Sequence, residues 1–107
     1  MGSASKMTIR RFLQDFKRTL SHGDWEIVQR RVEYAQVTEM TPESIKIILM
    51  KLTPDDYVKG PELDRDRPDE YLWVFYKSGE TKKRLYIKLK LMNGRAKVIS
   101  FHATIYD

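Results

Sequence analysis

The 107-residue sequence contains no cysteine, and its only two histidines, His22 and His102, are separated by most of the chain. Disulfides and cysteine-ligated metal sites are therefore excluded, and the histidines are not spaced as a metal-binding motif. No apolar run is long enough for a signal peptide or a membrane span. A glycine-rich phosphate loop, an HExxH motif and a GxSxG motif are also missing. These absences favour a cytoplasmic protein without a metal, another cofactor or a membrane partner.

Positive charge is in excess, with 20 Lys and Arg against 15 Asp and Glu and a formal net charge of +5. Such an excess on a small protein indicates an anionic partner, either nucleic acid or an acidic protein, and composition does not distinguish the two. At this length we expect one domain with one hydrophobic core. Residues 1–6 resemble an expression tag, so we assign the single domain to residues 7–107.

The clearest pattern in the sequence is a β-hairpin with arms at residues 84–91 and 98–105. Each arm alternates apolar and polar residues, as strands with one buried face do. The predicted core side contains Leu85, Ile87, Leu89, Leu91, Ile99, Phe101, Ala103 and Ile105. The opposite side contains Tyr86, Lys88, Lys90, Ser100, His102 and Thr104. This polar side is either a site for a phosphate-rich substrate or the solvated face of an ordinary sheet.

The connection between the arms contains Asn-Gly, a pair that favours a two-residue turn. That turn would set the polar face of one arm beside the apolar face of the other. We therefore predict a three-residue loop, 92–94, which sets Tyr86 opposite Ser100 and Arg84 opposite His102. With this loop, the polar side groups Tyr86, Lys88, Ser100, His102 and Arg84 in one cationic cluster on a rigid sheet.

Two helices are predicted before the hairpin. Thr8 can cap the first, which runs to about Ser21 with apolar residues at helical spacing. Thr41 followed by Pro42 begins the second, which ends near Leu52. Their predicted buried residues are Ile9, Phe12, Leu13, Phe16, Leu20, Ile45, Ile48, Leu49 and Leu52.

The remaining segments are less regular. Residues 25–28 predict a short strand, and residues 32–37 a helical turn. Residues 60–70 predict a charged loop stiffened by prolines. Residues 71–76 predict an apolar strand covered partly on both sides, whose aromatic residues, including Tyr76, we expect to serve packing.

The order of these elements, helices first and strands afterwards, predicts an α+β fold. We expect the N-terminal helices to pack on one face of a small twisted antiparallel sheet that ends in a three-strand meander. The other face, which holds Tyr86, Lys88 and His102, is expected to stay open.

Five segments have an order and spacing shared with a known family: LTPDDY at 52–57, KGPE at 59–62, DRDRP at 64–68, LYIKLK at 85–90 and VISFH at 98–102. They resemble the motility quorum-sensing regulator (MqsR-like) toxins of bacterial type II toxin–antitoxin systems, from about Trp25 to Ile105. The resemblance implies a RelE-like fold and a metal-independent mRNA interferase acting on single-stranded mRNA, with or without the ribosome. It also implies a cognate antitoxin as partner, expected to be a helix-turn-helix DNA-binding protein.

The resemblance also implies site residues. The family's site lysine falls on Lys59 and its strand tyrosine on Tyr86, with Lys88 two residues later. The basic residue that follows a Ser-Phe pair in the last strand falls on His102, where better-known members carry lysine.

Metal-independent RNA cleavage needs a base for the 2′-hydroxyl, an acid for the leaving 5′-oxygen and cations around the phosphorane. Histidine suits proton transfer because its ordinary pKa of about 6.5 lies near neutral pH. We assign catalysis to His102, Tyr86, Lys59 and Lys88. Phosphate contacts are assigned to Arg84, Lys90, Lys82 and Lys83.

Two other functions remain open from the sequence. The family's glutamine on the first strand of the meander has no equivalent here, because that position falls on Trp73 or Val74. The chain is therefore an endoribonuclease, a basic module that binds RNA without cleaving it, or a partner of the antitoxin that has lost toxicity.

Overall fold

The computed structural model describes residues 4–28, 41–65, 67–78 and 84–103. These ranges contain two helices and five strands. In chain order they are α1 (Lys6–Ser21), β1 (Trp25–Ile27), α2 (Pro42–Met50), β2 (Tyr57–Asp64), β3 (Arg67–Ser78), β4 (Arg84–Met92) and β5 (Arg95–Ala103), with a 3-10 turn at Pro54–Asp56. The short strand β1 confirms its prediction, whereas the helical turn predicted at 32–37 lies outside the described residues.

The strands form one mixed sheet in the order β1-β5-β4-β3-β2. β1 runs parallel to β5, and the other neighbouring strands are antiparallel. The predicted α+β fold and the C-terminal meander, β3-β4-β5, are confirmed. The sheet is larger than predicted because β1 and β2 extend the meander at its two edges.

The loop predicted at 60–70 is wrong, since most of this segment belongs to β2 and to the start of β3. β2 is an edge strand, and its pairing with β3 shifts register at three points. Gly60 has φ +123°, and a Cβ there would lie 2.6 Å from the Leu72 carbonyl oxygen, so only glycine fits this approach. Pro61 is tolerated because an edge strand needs no donor on its free side. These irregularities hide the alternation that identifies a strand.

Both helices pack on the same face of the sheet. The core between them contains Ile9, Phe12, Leu13, Phe16, Leu20, Ile45, Leu49, Leu52, Trp73, Phe75, Ile87, Leu89, Ala96, Val98 and Phe101. Phe12 stacks on Trp73 with ring centroids 4.3 Å apart. The helical stripes predicted from the sequence are thereby confirmed, with Ile48 at the margin of the core.

The helix starts agree with the sequence in one case and differ in the other. Thr41 caps α2 by accepting a hydrogen bond from the Ser44 amide at 3.1 Å, as predicted. The cap of α1 is Ser5 rather than Thr8, because the Ser5 hydroxyl accepts from the Thr8 amide at 3.1 Å. The helix therefore starts one turn earlier than the sequence indicated.

The β4–β5 hairpin has the two-residue turn that the sequence argument rejected. Asn93 and Gly94 have φ of 51° and 74°, and Met92 pairs with Arg95. A register shift next to Lys88 leaves one extra residue in β5, which restores like faces farther from the turn. The predicted three-residue loop is therefore wrong, while the predicted grouping of polar residues on one face is correct.

The bulge also changes which residues pair and which reach the core. Tyr86 lies opposite His102 instead of Ser100, and Lys88 lies opposite Ser100. On β5 the core contains Ala96, Val98 and Phe101, whereas Ile99 is buried but not part of this core. Ile105, also predicted for the core, lies outside the described residues.

Candidate functional site

The sheet face that points away from α1 and α2 holds the predicted site; we call it the outer face. It alternates with the core along each strand, so that Ile87 and Leu89 belong to the core while Tyr86 and Lys88 lie on the outer face. Two rows of side chains cross this face from strand to strand. Because these side chains stand on paired strands, their spacing is set by the sheet.

The first row, the ring row, consists of Tyr76, Tyr86 and His102. Tyr76 pairs with Tyr86 across β3 and β4, and Tyr86 pairs with His102 across β4 and β5. The Tyr76 and Tyr86 ring centroids are 5.7 Å apart with planes inclined by 60°. The Tyr86 and His102 centroids are 5.2 Å apart at 38°. The predicted tyrosine and histidine are thus direct neighbours.

The second row, the lysine row, consists of Lys59, Val74, Lys88 and Ser100. Each member is the cross-strand partner of the next, from β2 through β5. Directly opposite residues share a face of the sheet, so Lys59 joins Lys88 on the outer face. Their strands are two spacings apart, about 10 Å. The four predicted catalytic residues, Lys59, Tyr86, Lys88 and His102, therefore lie on one face.

Two cations lie against the tyrosines of the ring row. The Lys88 Nζ is 5.9 Å from the Tyr86 ring centroid, and the Arg84 Cζ is 5.9 Å from the Tyr76 centroid. Within the described residues, neither Arg84 nor Lys88 forms a salt bridge with a carboxylate. Both cations can therefore offer their charge to an anionic ligand.

Lys59 approaches Glu62, with Nζ 3.6 Å from Oε1 and both side chains about half exposed. An exposed pair of this kind contributes little and does not prevent Lys59 from meeting another anion. Nearby, the Tyr57 hydroxyl donates to the Gly60 carbonyl oxygen, and the Tyr57 ring packs edge-on against Phe75. These contacts hold β2 in place on both sides of Lys59.

The sequence predicts that the outer face is open, but part of this face is buried. Val74 is 1% exposed, and Leu72, Ile99 and Ser100 are also buried. Tyr76, Tyr86, Lys88 and His102 are partly exposed, and Arg84 is exposed. On β3, Leu72 and Val74 are buried on the outer face, and Trp73 and Phe75 are buried in the core on the other face. This confirms that the strand is covered on both sides for part of its length.

Lys90, predicted to contact phosphate, is 1% exposed. Its Nζ lies 2.6 Å from Asp64 Oδ2 and 2.5 Å from Glu70 Oε1. A buried ammonium held by two carboxylates has no free charge to present to RNA. The contact predicted for Lys90 is therefore at odds with its burial, and we remove Lys90 from the site. The predicted contacts of Lys82 and Lys83 lie outside the described residues.

The sequence interpretation overlooked one member of the outer face. Tyr76 was expected to pack with the other aromatic residues of its strand, and Trp73 does so, at 8% exposure in the core. Tyr76 lies on the opposite face beside Tyr86. Strict alternation along β3 separates Trp73 and Phe75 from Tyr76, and this was the available signal.

A second charged cluster lies on the helix side of the sheet. Lys17 Nζ donates to the Leu52 carbonyl oxygen at 2.5 Å, and Lys77 Nζ donates to the Lys51 carbonyl oxygen at 3.1 Å. Burial lowers the pKa of Lys17, the charge of Lys77 lowers it further, and Asp56 partly opposes both effects. This cluster joins α1 to the end of α2 and is not part of the outer face.

Two further structural findings concern the described ranges alone. No group of three or more His, Asp or Glu side chains there is placed to hold a metal ion. No helix there is both long enough and apolar enough to cross a membrane.

Comparison with known protein families gives a match over most of the chain. The family model described as "Motility quorum-sensing regulator, toxin of MqsA" matches residues 10–103. No curated protein matches the chain significantly. The family match covers all of α2, every core residue of α1 except Ile9, and every residue of the ring row and the lysine row.

Proposed function

The chain belongs to the motility quorum-sensing regulator family of toxins, and we propose that it is a metal-independent endoribonuclease that cleaves single-stranded mRNA. The family implies a toxin–antitoxin system with an antitoxin of the MqsA type as partner. The ribonuclease activity is the part that we add. A cytoplasmic location follows from the proposed substrate.

The observation that carries the proposal is the direct pairing of Tyr86 with His102, with Lys88 beside them. The two rings are 5.2 Å apart, and Lys88 Nζ is 5.9 Å from the Tyr86 centroid. A proton carrier, a hydroxyl donor and a cation thus meet on one side of a rigid sheet. These are the groups that metal-free phosphodiester cleavage requires.

The proposed reaction is an attack by the ribose 2′-oxygen on the adjacent phosphorus. The 2′-hydroxyl gives its proton to a base, the bond from phosphorus to the 5′-oxygen breaks, and that oxygen receives a proton from an acid. The products are a 2′,3′-cyclic phosphate and a 5′-hydroxyl. His102 carries the proton in one of the two transfers, and Tyr86 donates a hydrogen bond to a phosphate oxygen.

The charge that develops on the phosphorane needs fixed cations around it. Lys88 stands next to the ring row, and Lys59 approaches the same face from β2. Preorganised cations of this kind stabilise the transition state more than they stabilise the substrate. Arg84, with its planar guanidinium, suits a bidentate contact to a phosphate group.

Substitution of the two central residues tests this assignment. We expect His102→Ala and Tyr86→Phe each to lower RNA cleavage at least about 100-fold and to abolish growth arrest in cells that express the toxin without its antitoxin. Matched controls are His22→Ala and Tyr71→Phe, whose parent side chains are exposed and lie outside the site.

The four variants should have the circular dichroism spectrum and melting temperature of the parent protein. Full cleavage activity in both His102→Ala and Tyr86→Phe would refute the assignment of these residues. Loss of cleavage in His22→Ala or Tyr71→Phe would show that the assay reports general damage to the fold.

A second candidate function is a non-catalytic module that binds RNA or the antitoxin. The missing glutamine of the family favours this candidate: its position falls on Trp73 or Val74, and Val74 lies between Lys59 and Lys88 in the lysine row. Valine adds no hydrogen-bonding side chain at the centre of the row. This candidate predicts RNA affinity that falls steeply with salt, together with intact RNA at every pH.

A further inference from the structure

The ring row contains the same arrangement twice, a tyrosine with a cation over its ring. Tyr86 has Lys88 at 5.9 Å, and Tyr76 has Arg84 at the same distance. The two tyrosines are cross-strand neighbours, with centroids 5.7 Å apart. The proposed reaction uses Tyr86 and Lys88, gives Arg84 a phosphate contact whose position in the RNA is not specified, and leaves Tyr76 without a role.

We infer that Tyr76 and Arg84 form a second nucleotide-binding subsite, which holds the base and phosphate of a nucleotide next to the one that is cleaved. The tyrosine ring provides a surface on which a base stacks, and the guanidinium binds the adjoining phosphate. The inference rests on the proposed function only to the extent that single-stranded RNA occupies the outer face.

Tyr76 does not pack in the core; its ring lies against the Tyr86 ring and the Arg84 guanidinium on the outer face. It is absent from the core under the helices, and its ring is partly exposed on the outer face. Exposed aromatic rings on neighbouring strands of a sheet are a recurrent platform for single-stranded nucleic acid. Stacking tolerates any base, so the subsite would add affinity without strict sequence preference.

Arg84 has the charge and the freedom that a phosphate ligand needs. It is exposed, it stands at the start of β4, and no carboxylate in the described part of the chain pairs with it. Its cross-strand partner is Ser78 and not an acidic residue. The guanidinium can therefore exchange its contact with the Tyr76 ring for a phosphate while the base takes the ring.

The subsite also defines how RNA lies on the protein. Tyr76, Tyr86 and His102 follow one another across β3, β4 and β5, so the RNA would run across the strands and not along them. Along β4 the next outer-face residue beyond Lys88 is Lys90, whose charge is already taken by Asp64 and Glu70. Lys90 therefore adds no free charge along β4, whereas Arg84 adds one beside Tyr76.

The inference is tested by binding RNAs of increasing length to the intact protein. The probes are fluorescent oligoribonucleotides with 2′-O-methyl groups throughout, which lack the attacking hydroxyl. We expect affinity to rise as the probe is extended from two nucleotides to three or four. Tyr76→Leu should remove this rise, with Kd for the longer probes about 5- to 10-fold higher and Kd for the dinucleotide unchanged.

Three further variants separate the loss of base stacking from other causes of weaker RNA binding. Tyr76→Phe should bind all probes like the parent protein, since the ring is retained. Arg84→Gln should reduce the slope of log K against log salt by about 0.7, the value for one phosphate contact with a single strand. Tyr71→Leu is the control, because Tyr71 is an exposed tyrosine of the same strand that lies outside the ring row.

The results distinguish a failure of the proposed subsite from a failure of the proposed nuclease activity. Equal binding of all lengths by Tyr76→Leu and the parent protein, or an equal loss at every length, would overturn the subsite. So would a Tyr76→Leu variant that weakens antitoxin binding and leaves RNA binding intact. Length-dependent binding with no cleavage of unmodified RNA would support the subsite and refute the proposed nuclease.

Kinetics with cleavable RNA provide a second readout. A nucleotide-binding role predicts that Tyr76→Leu raises KM for the longer RNAs and leaves kcat unchanged. A lower kcat at every length would mean that Tyr76 acts by positioning Tyr86, and this result would contradict the subsite.

Discussion

Individual residues of the site owe their positions to one extra residue in β5. With an uninterrupted two-residue turn, Tyr86 would face Phe101 and its hydroxyl would lie among apolar side chains. The shift in register next to Lys88 instead brings His102 opposite Tyr86. A bulge that redirects a side chain in this way is typical of functional sites in sheets. Alternation alone does not reveal this pairing. The predicted partner of Tyr86, Ser100, and its observed partner, His102, are two residues apart and lie on the same face of β5.

Lys17 gives a prediction at the scale of a single residue. Its folded pKa is lowered by burial and by Lys77, so in the alkaline range below the unfolded value of about 10.5 the unfolded chain binds more protons. The contribution of Lys17 to the free energy of unfolding should therefore increase as pH rises through this range.

The measurement is denaturant unfolding of the parent protein and of Lys17→Met at several pH values. The stability of the parent relative to Lys17→Met should improve from pH 7 to pH 10, as the charge in the cluster is lost. If the difference in free energy of unfolding between the parent protein and Lys17→Met stays constant, or if the parent becomes relatively less stable as pH rises, the lowered pKa is contradicted. Each variant is compared with the parent at the same pH, so other titrating groups cancel.

At the scale of elements, the cluster of Lys90, Asp64 and Glu70 ties the far end of the β2–β3 pair to β4. The ammonium is buried and its two carboxylate contacts are 2.6 Å and 2.5 Å long. Asp64 ends the strand that carries Lys59, and Lys90 is two residues from Lys88. The cluster therefore helps to set the position of one end of the lysine row relative to its middle.

Removal of one member of this cluster should be costly. Lys90→Met leaves the buried Asp64 carboxylate and the Glu70 carboxylate without this ammonium, and we expect a loss of about 3–5 kcal/mol in the free energy of unfolding. The matched control is Arg18→Met, which breaks the 2.9 Å pair with Asp15 on the exposed side of α1 and should cost less than about 1 kcal/mol.

A combined variant makes this prediction sharper. Lys90→Met with Asp64→Asn and Glu70→Gln removes all three charges, and it should recover a large part of the stability that Lys90→Met loses. Equal stability of Lys90→Met and Arg18→Met in urea unfolding would show that the buried cluster behaves like a surface pair.

The elements differ in how far the sequence determines them. α1 and α2 are predictable because their apolar residues repeat at helical spacing and because Thr41-Pro42 is a strong start signal. β2 is not, because an edge strand with Gly60, Pro61 and three register shifts has neither alternation nor a buried face to mark it. The strand is specified by its fit to β3, which is a property of the folded sheet.

At the scale of the whole molecule, the two faces of one sheet have separate tasks. One face packs against α1 and α2, and the other carries the ring row and the lysine row. Since the site stands on paired strands and not on loops, its spacing is fixed by the backbone, as preorganised catalysis requires. Lys59, Tyr86, Lys88 and His102 were expected from the sequence to act together, and the fold brings them to the same face.

The limits of the sequence are also visible at this scale. Lys90 has the alternation of a surface residue, but it is buried and paired with Asp64 and Glu70 from other strands. Tyr76 belongs to an aromatic run in which Trp73 and Phe75 are in the core. Long-range contacts decide the case of Lys90, and the pattern along one strand contains no information about them. For Tyr76 the alternation along β3 contains the signal, because it separates Tyr76 from Trp73 and Phe75.

We propose that the protein cleaves RNA by attack of the 2′-hydroxyl, and the most direct test is to identify the ends that it produces. The purified protein is incubated with a mixed-sequence RNA in the presence of a chelator, and the fragments are sequenced after end-group analysis. This mechanism predicts discrete cuts that leave 2′,3′-cyclic phosphates and 5′-hydroxyls, and no cuts with His102→Ala. Intact RNA, with and without added ribosomes, or fragments with 5′-phosphates and 3′-hydroxyls, would contradict it.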